Sequence, residues 1–360
     1  MMQNNQAIPF NKENFKLIFS KEFALVIIIS VPSAIVAEFL NIPLAWFLGP
    51  MLITSLASLM GLKIKMPKLV LSSILILLGL YIGNYIDKNL LSQMNQWVWT
   101  SIIMLIYIIV SVLIVSKYLQ IFSKYERKTS IFSAAPGALG PLLILAEDEK
   151  KTDLSQVATS HLIRLIIIIT IFPFIVNSFY DSESFMVVEK NLNDQNIINL
   201  IILIIFSILL ILLFDKFKIP AALLSGTLFA SGILQITEIA TYKLSPSIID
   251  YCLLILGASV GCRFANKTFG EIASNAWHSF IATFLLVILG LIAAFVASLI
   301  IDKNFFTLIL SYCPGGIYEV AVIAIFFDLD PEFVSFHHII RLLMILFIVP
   351  IILKIIEKRT

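Results

Sequence analysis

The sequence is poor in charged residues and in cysteine. Charged side chains make up 13% of its 360 residues, whereas hydrophobic side chains make up 59%. A soluble domain carries about 25% charged residues, so this composition indicates a polytopic membrane protein. The three cysteines form no CxxC pair, and we interpret them as small apolar helix residues.

The sequence also lacks the motifs of nucleotide and nucleic-acid chemistry. Lys and Arg are dispersed, with no basic arm and no helix-turn-helix segment outside the hydrophobic runs, so we expect no nucleic-acid partner. There is no Walker-type motif, which argues against ATP-driven transport. No clustered Cys, His and carboxylate pattern is present. We therefore expect no metal site, no other cofactor and no catalytic residue.

The sequence contains one set of motifs twice. The copies keep Pro, Gly, His and Arg in register at a nearly constant offset, which chance apolar similarity would not produce over several blocks. This pattern indicates a tandem duplication. The clearest pairs are "IPLAWFLGP" at 42–50 with "IPAALLSGT" at 219–227, "SAAPGALGPLLILA" at 133–146 with "SYCPGGIYEVAVIA" at 311–324, and "HLIRLIIIITIFPFI" at 161–175 with "HIIRLLMILFIVPII" at 338–352.

The hydrophobic segments predict an all-α membrane protein with two repeats. Each repeat has six segments, most of them long enough to cross a hydrocarbon core. We divide the chain into a cytoplasmic N-terminal tail at 1–21, a first membrane repeat at 22–176, a polar linker at 177–196 and a second membrane repeat at 197–354. The surrounding lipid bilayer is the first partner that such a chain requires.

The fifth segment of each repeat contains a Pro-Gly break, which interrupts the hydrogen-bond ladder of a helix. It is either a re-entrant hairpin or a broken helix that crosses the membrane. The re-entrant form places more of the Lys and Arg residues on the cytoplasmic side, as the positive-inside rule favours. It leaves five crossings per repeat, and this odd number predicts inverted repeats, an architecture of many secondary transporters.

Two arginines, Arg164 and Arg341, lie near the middle of equivalent hydrophobic segments. A charge at that depth costs at least about 2.5–3.5 kcal/mol on insertion scales, so each should face the protein interior and have a partner. An interhelical salt bridge or a clamp on backbone carbonyls would explain them structurally, and contact with a substrate anion would explain them functionally. His161 and His338 precede them by three residues and therefore share their helix faces.

Glu319 follows the second Pro-Gly break, whereas Pro141 is its counterpart in the first repeat. A buried Glu can carry a proton or can serve as the counter-ion of a buried arginine. We predict that the two breaks and their flanking residues form one substrate-binding site near the midplane. Its members are Pro136, Gly137, His161, Arg164, Pro314, Gly315, Gly316, Glu319, His338 and Arg341.

The motifs "IPLAWFLGPML", "PGGIYEVAVIA" and "HHIIRLLMILFIVP" resemble those of the bacterial AbrB membrane-protein family, which is built from two copies of one hydrophobic repeat. This family is unrelated to the soluble DNA-binding regulator of the same name. Its members carry the labels of regulator of gene expression and ammonia monooxygenase. The family's Pro-Gly-Gly-x-x-Glu pattern is kept from Pro314 to Glu319, and "PGALGP" replaces it in the first repeat.

We therefore expect a multi-pass protein of the bacterial inner membrane, acting as a secondary transporter of a small anionic metabolite with proton coupling. The first alternative is a membrane protein that regulates gene expression indirectly. A membrane monooxygenase is a distant alternative, because the four histidines show no ligand spacing. A homo-oligomer is compatible with this sequence, which does not specify the oligomeric state.

Overall fold

A computed structural model describes residues 12–86, 88–147, 149, 152–179, 196–240, 242, 244–245, 247–265 and 267–357. All regular secondary structure within these ranges is α-helical, as the hydrophobic segments predict. Most of the predicted linker at 177–196, and the first part of the N-terminal tail, lie outside the described residues.

Among the described residues, the first repeat forms seven helices, and a short further helix precedes it in the predicted tail. The Pro-Gly break divides the fifth predicted segment into two short helices. The helices are α1 (Lys12–Ile18), α2 (Lys21–Phe39), α3 (Ala45–Leu59), α4 (Lys68–Gly83), α5 (Lys88–Phe122), α6 (Arg127–Ala134), α7 (Leu139–Glu147) and α8 (Leu154–Phe179).

In the described part of the second repeat, seven equivalent helices follow in the same order. Its Pro-Gly break again divides the fifth segment in two. The helices are α9 (Ile197–Lys216), α10 (Ala222–Thr237), α11 (Ser247–Cys262), α12 (Phe269–Ser298), α13 (Phe305–Tyr312), α14 (Ile317–Phe326) and α15 (Pro331–Glu357).

Six of the described helices are long and apolar enough to cross a membrane. The candidate spans lie in α2, α5 and α8 of the first repeat and in the equivalent helices α9, α12 and α15 of the second. The shorter apolar helices α3, α4, α10 and α11 accompany them. This set of helices defines a multi-pass membrane protein.

The chain divides into two compact units, and each combines parts of both repeats. The first unit consists of Met1–Ser92, Pro173–Lys267 and Ile325–Glu332. The second unit consists of Gln93–Phe172, Thr268–Ala324 and Phe333–Thr360, and it contains both Pro-Gly breaks.

In the first unit, glycines allow helices of different repeats to pack closely. A Cβ atom on Gly79 of α4 would collide with Thr227 and the Leu224 carbonyl of α10. A Cβ atom on Gly257 of α11 would likewise collide with the carbonyl of Phe47 in α3. These two contacts are equivalent under the duplication, so the recurring glycines serve close helix packing.

In the second unit, the equivalent helices α5 and α12 run antiparallel. The hydroxyl of Tyr125, just beyond α5, donates to Asn275 Oδ1 at 2.9 Å. Earlier in α5, the Tyr107 hydroxyl donates to the Leu286 carbonyl at 3.4 Å. Residues earlier in α5 therefore contact residues later in α12. Equivalent helices that run in opposite directions are the mark of inverted repeats.

The first Pro-Gly segment is a hairpin. Lys128 at the start of α6 forms a salt bridge with Glu149 beyond the end of α7, with 2.5 Å between Nζ and Oε2. The Asp153 amide, just before α8, donates to Thr129 Oγ1 at 3.0 Å. The start of α6 and the residues after α7 therefore lie next to each other. This arrangement favours the re-entrant form for this repeat.

The second Pro-Gly segment has the corresponding arrangement around α15. Lys303, just before α13, lies 5.8 Å from the ring centroid of Phe333 near the start of α15. One turn and a half further along, His338 of α15 contacts the carbonyl of Leu310 in α13. Hence α13 and α15 start level and run in the same direction, as α6 and α8 do.

The hairpin geometry predicts the sidedness of single cysteines. In a background with Cys252, Cys262 and Cys313 changed to alanine, we expect Glu126→Cys and Glu147→Cys to be protected from a membrane-impermeant thiol reagent in intact cells. Both positions should label in inverted membrane vesicles, because the two ends of the hairpin lie together and the positive-inside rule predicts that this side is cytoplasmic.

Asp302→Cys is the matched control, because it precedes the hairpin of the inverted repeat and should label in intact cells. Opposite labelling of Glu126→Cys and Glu147→Cys would mean that the first segment crosses the membrane.

Candidate functional site

The tips of the two hairpins touch each other within the second unit. A Cβ atom on Gly137 would lie 3.4 Å from the carbonyl oxygen of Gly315 and 3.1 Å from Nη2 of Arg341. Gly137 has a φ of +117°, a backbone conformation that other residues rarely adopt. Pro136 and Pro314 are buried next to these glycines. Glycine is therefore required at Gly137 both by the backbone and by the close approach.

In the first hairpin, α8 binds the end of α6. Arg164 donates from Nη1 to the Ala135 carbonyl at 2.5 Å and from Nη2 to the Ser133 carbonyl at 2.5 Å. His161 Nε2 lies 3.0 Å from the Phe132 carbonyl and therefore donates to it. The spacing of three residues between His161 and Arg164 brings both side chains to the same helix end.

The second hairpin repeats this arrangement with one addition. Arg341 donates from Nη1 to the Cys313 carbonyl and from Nη2 to the Gly315 carbonyl, the latter at 2.6 Å. His338 Nε2 lies 2.9 Å from the Leu310 carbonyl, and its Nδ1 lies 3.0 Å from Nη2 of Arg341. Since Nε2 must donate to a carbonyl and Nδ1 must accept from a guanidinium, His338 is neutral with its proton on Nε2.

These contacts satisfy backbone groups that the helix breaks expose. The last four carbonyls of a helix have no partner within it, and in a membrane an unsatisfied polar group costs several kcal/mol. Hydrogen bonds to a charged group contribute about 1.5–3 kcal/mol each, enough to offset the insertion cost of the arginines. Of the two structural explanations for Arg164 and Arg341, a salt bridge and a clamp on backbone carbonyls, the structure therefore shows the carbonyl clamp.

The clamps leave two positive charges without a carboxylate partner. Arg164 and Arg341 are 2% and 0% exposed, and within the described residues neither guanidinium forms a salt bridge with Asp or Glu. The Nε atom of each has no hydrogen-bond partner among those residues. The two guanidinium charges also interact with each other, and this interaction is repulsive. The centre of the second unit is therefore electropositive.

Glu319 lies at the start of α14 rather than between the arginines. It is 1% exposed, and a Cβ atom on Gly316 would collide with its carboxylate, so the side chain turns back over the first turn of its own helix. A negative charge is stabilised there by the helix dipole. The equivalent positions in the first repeat are Ala138 and Pro141, so α7 has no carboxylate at its N-terminus.

The structure adds Tyr107 to the residues that the sequence singled out. It is 3% exposed, it interacts electrostatically with Arg164 and Arg341, and its ring meets that of Tyr312 edge to face at 6.2 Å between centroids. Sequence reasoning missed it because a tyrosine in an apolar span is usually a packing residue. Its hydroxyl in the centre of α5 was the available signal.

A further hydrogen-bond network surrounds His337. This residue adjoins His338 in sequence and therefore lies on another face of α15. His337 Nε2 lies 2.7 Å from Thr100 Oγ1, and its Nδ1 lies 2.9 Å from the Phe333 carbonyl. The Tyr312 hydroxyl donates to the Thr100 carbonyl at 2.7 Å. This network ties α5 to α13 and α15 next to the second tip. Within the described ranges, no three His, Cys, Asp or Glu side chains are grouped to share a metal ion.

The fold and this centre define a class: a multi-pass helical membrane protein of inverted repeats with two interrupted-helix hairpins. The profile of the family described as "Transition state regulatory protein AbrB" matches residues 2–83 and 46–357. The chain belongs to this AbrB family, as the resemblance of its motifs predicts.

Curated relatives are similar at low identity. The chain is 22% identical over 291 residues to "Uncharacterized protein YhjN" of Bacillus subtilis (strain 168), covering 76% of this chain and 75% of the relative. It is 21% identical over 319 residues to "Putative regulator AbrB" of Escherichia coli (strain K12), covering 88% of this chain and 91% of the relative. No solved structure matches the chain.

The contact between the tips predicts opposite effects for two neighbouring glycines. Gly137→Ala should destabilise the protein by about 1–3 kcal/mol, because a Cβ atom there is strained by the positive φ and meets Arg341. Gly140→Ala should be neutral or stabilising by up to about 1 kcal/mol, because no atom lies within 4 Å of a Cβ atom in this helical position. The thermal unfolding midpoints of the purified variants in detergent measure the difference, and equal midpoints would contradict the contact.

Proposed function

We propose that the protein is a proton-coupled secondary transporter of a small anionic metabolite in the bacterial inner membrane. One observation carries this proposal: two inverted hairpins meet at their tips around two buried guanidinium groups that have no carboxylate partner among the described residues. Interrupted helices that meet inside inverted repeats form the substrate sites of many secondary transporters.

The first turn of α7 is the place where the anion binds. The amides of Leu139 and Gly140 are first-turn amides, which have no partner within a helix, and the dipole of α7 adds positive potential. A Cβ atom placed on Gly137, two residues before α7, would lie 3.1 Å from Arg341 Nη2. The Arg341 guanidinium therefore lies close to the start of α7. Gly140 is exposed with open space beside it, so a ligand can approach the backbone closely.

Glu319 distinguishes the two helix starts and provides the proton coupling. At α14 the protein supplies its own anion, whereas at α7 proline replaces the carboxylate. When Glu319 is ionised, it competes with the substrate for the positive potential around the tips. Its protonation removes this competition, so that proton and substrate binding favour the same state. His161, Arg164, His338 and Arg341 hold the hairpins in place, and the two arginines also supply positive charge from fixed positions.

The first experiment identifies the charge class of the ligand. Purified protein is screened by thermal shift against organic acids and amino acids, each acid paired with its uncharged amide. We expect stabilisation by one or a few acids and none by their amides, because only the acids bring a negative charge to the positive potential of the α7 dipole and of the two arginines. Hits are then tested for uptake into proteoliposomes, and stabilisation by uncharged compounds alone would contradict an anion site.

The second experiment tests proton coupling through Glu319. Once a transported acid is known, wild-type uptake should depend on pH, and Glu319→Gln should flatten this dependence while retaining binding. Glu147→Gln is the matched control, because Glu147 is exposed at the far end of α7, and it should keep the wild-type profile. An unchanged pH profile in Glu319→Gln would reduce Glu319 to a structural helix cap.

Regulation of gene expression is the alternative that the names of the family and of the Escherichia coli relative favour. A protein of this kind would act on gene expression indirectly, by binding a signal metabolite at the membrane without transporting it. It is distinguished by proteoliposome flux, since a regulator without transport would bind its signal and move nothing.

A further inference from the structure

The ends of α6 and α13 are the places in this fold where a coupling cation would bind. In transporters with interrupted helices, substrate anions bind at the N-termini of the half-helices, and coupling cations bind at their C-termini and at unwound carbonyls. Here each C-terminal end carries a negative partial charge and exposes carbonyl oxygens inside the protein.

Side chains of the protein itself occupy both ends. In the first hairpin, the carbonyls of Phe132, Ser133 and Ala135 receive hydrogen bonds from His161 and Arg164. In the second hairpin, the carbonyls of Leu310, Cys313 and Gly315 receive hydrogen bonds from His338 and Arg341. The two sets are alike, and both repeats therefore keep the His and Arg donors together with the Ser-x-x-Pro-Gly pattern of the tip.

We propose that Arg164 and Arg341 are tethered cations, which permanently fill the two positions where a metal cation would otherwise bind. For the coupling ion, this inference rests on the proposed transport function. A sodium ion at either end would compete with a guanidinium for the same carbonyl oxygens and would be repelled by its charge. Transport is therefore independent of sodium at these positions, and the proton is left as the coupling ion.

The geometry also makes each end specific for a guanidinium. In both hairpins, two carbonyl oxygens accept from the two Nη atoms, so the planar fork is matched by its acceptors. In the second hairpin, His338 Nδ1 is a further acceptor for Nη2 of Arg341. Removal of the arginine side chain should therefore leave a site for free guanidinium, with its carbonyls already oriented by the hairpin.

The experiment combines an ion titration with chemical rescue. Thermal unfolding midpoints are measured in detergent at constant ionic strength, with choline, sodium or potassium as the cation. The wild type should show the same midpoint in all three. Arg341→Ala should show a lowered midpoint, which rises towards the wild-type value on addition of millimolar guanidinium and does not rise with tetramethylammonium, which has no N–H donor.

Two controls keep the test decisive if Arg341→Ala does not fold. Arg164→Ala removes the equivalent cation from the other hairpin and should show the same rescue. Lys354→Ala removes a basic residue at the far end of α15, and its midpoint should not respond to millimolar guanidinium. A saturable, sodium-specific stabilisation of the wild type would overturn the proposal, and so would the absence of guanidinium rescue in a folded alanine variant.

The outcome can be separated from that of the proposed function. If no anion is bound or transported but guanidinium rescues the alanine variants, the tethered cations stand and the transport proposal fails. If anion uptake into proteoliposomes requires a sodium gradient, anion transport stands, and both the proton coupling and the tethered-cation inference fail.

Discussion

The structure depends on one constraint: backbone carbonyls exposed by a helix break inside a membrane must find donors within the protein. The chain breaks a helix at Ala135 and again at Cys313, and in both places an arginine and a histidine from the following long helix supply the donors. This requirement explains why α8 lies beside α6 and α15 beside α13. It also explains why charged residues occur in spans that are otherwise apolar.

A structural solution of this kind has an electrostatic consequence. Each arginine satisfies carbonyl groups with its Nη atoms, but carbonyls are dipoles and do not cancel a full charge. Two guanidinium charges therefore remain in a region with little water, and they repel each other. In the function proposed above, an anion would be stabilised by the same arginines that hold the hairpins together.

The duplication provides two similar hairpins, and their differences separate two roles. At α14, Gly316 and Glu319 allow the protein to place its own carboxylate over the helix start. At α7, the same positions are Ala138 and Pro141, and Gly140 is exposed. One helix start is thus covered by a carboxyl group of the protein, and its equivalent is not.

The sequence by itself determined the local features of this protein. Hydropathy predicted the helices, and the repeated Pro, Gly, His and Arg motifs revealed the duplication and the two breaks. These features depend on a few adjacent residues, and the structure places the helices close to the predicted segments. The shared helix face of His161 with Arg164, and of His338 with Arg341, also follows from spacing alone.

The hydrogen-bond partners of these four side chains, by contrast, are set by tertiary packing. Salt bridges, carbonyls and substrate were equally open to a buried arginine, and only the position of each hairpin selected the carbonyls. The contact of Gly137 with Arg341, the backward turn of Glu319 and the approach of Tyr107 likewise depend on helices distant in sequence, whose packing no local pattern encodes.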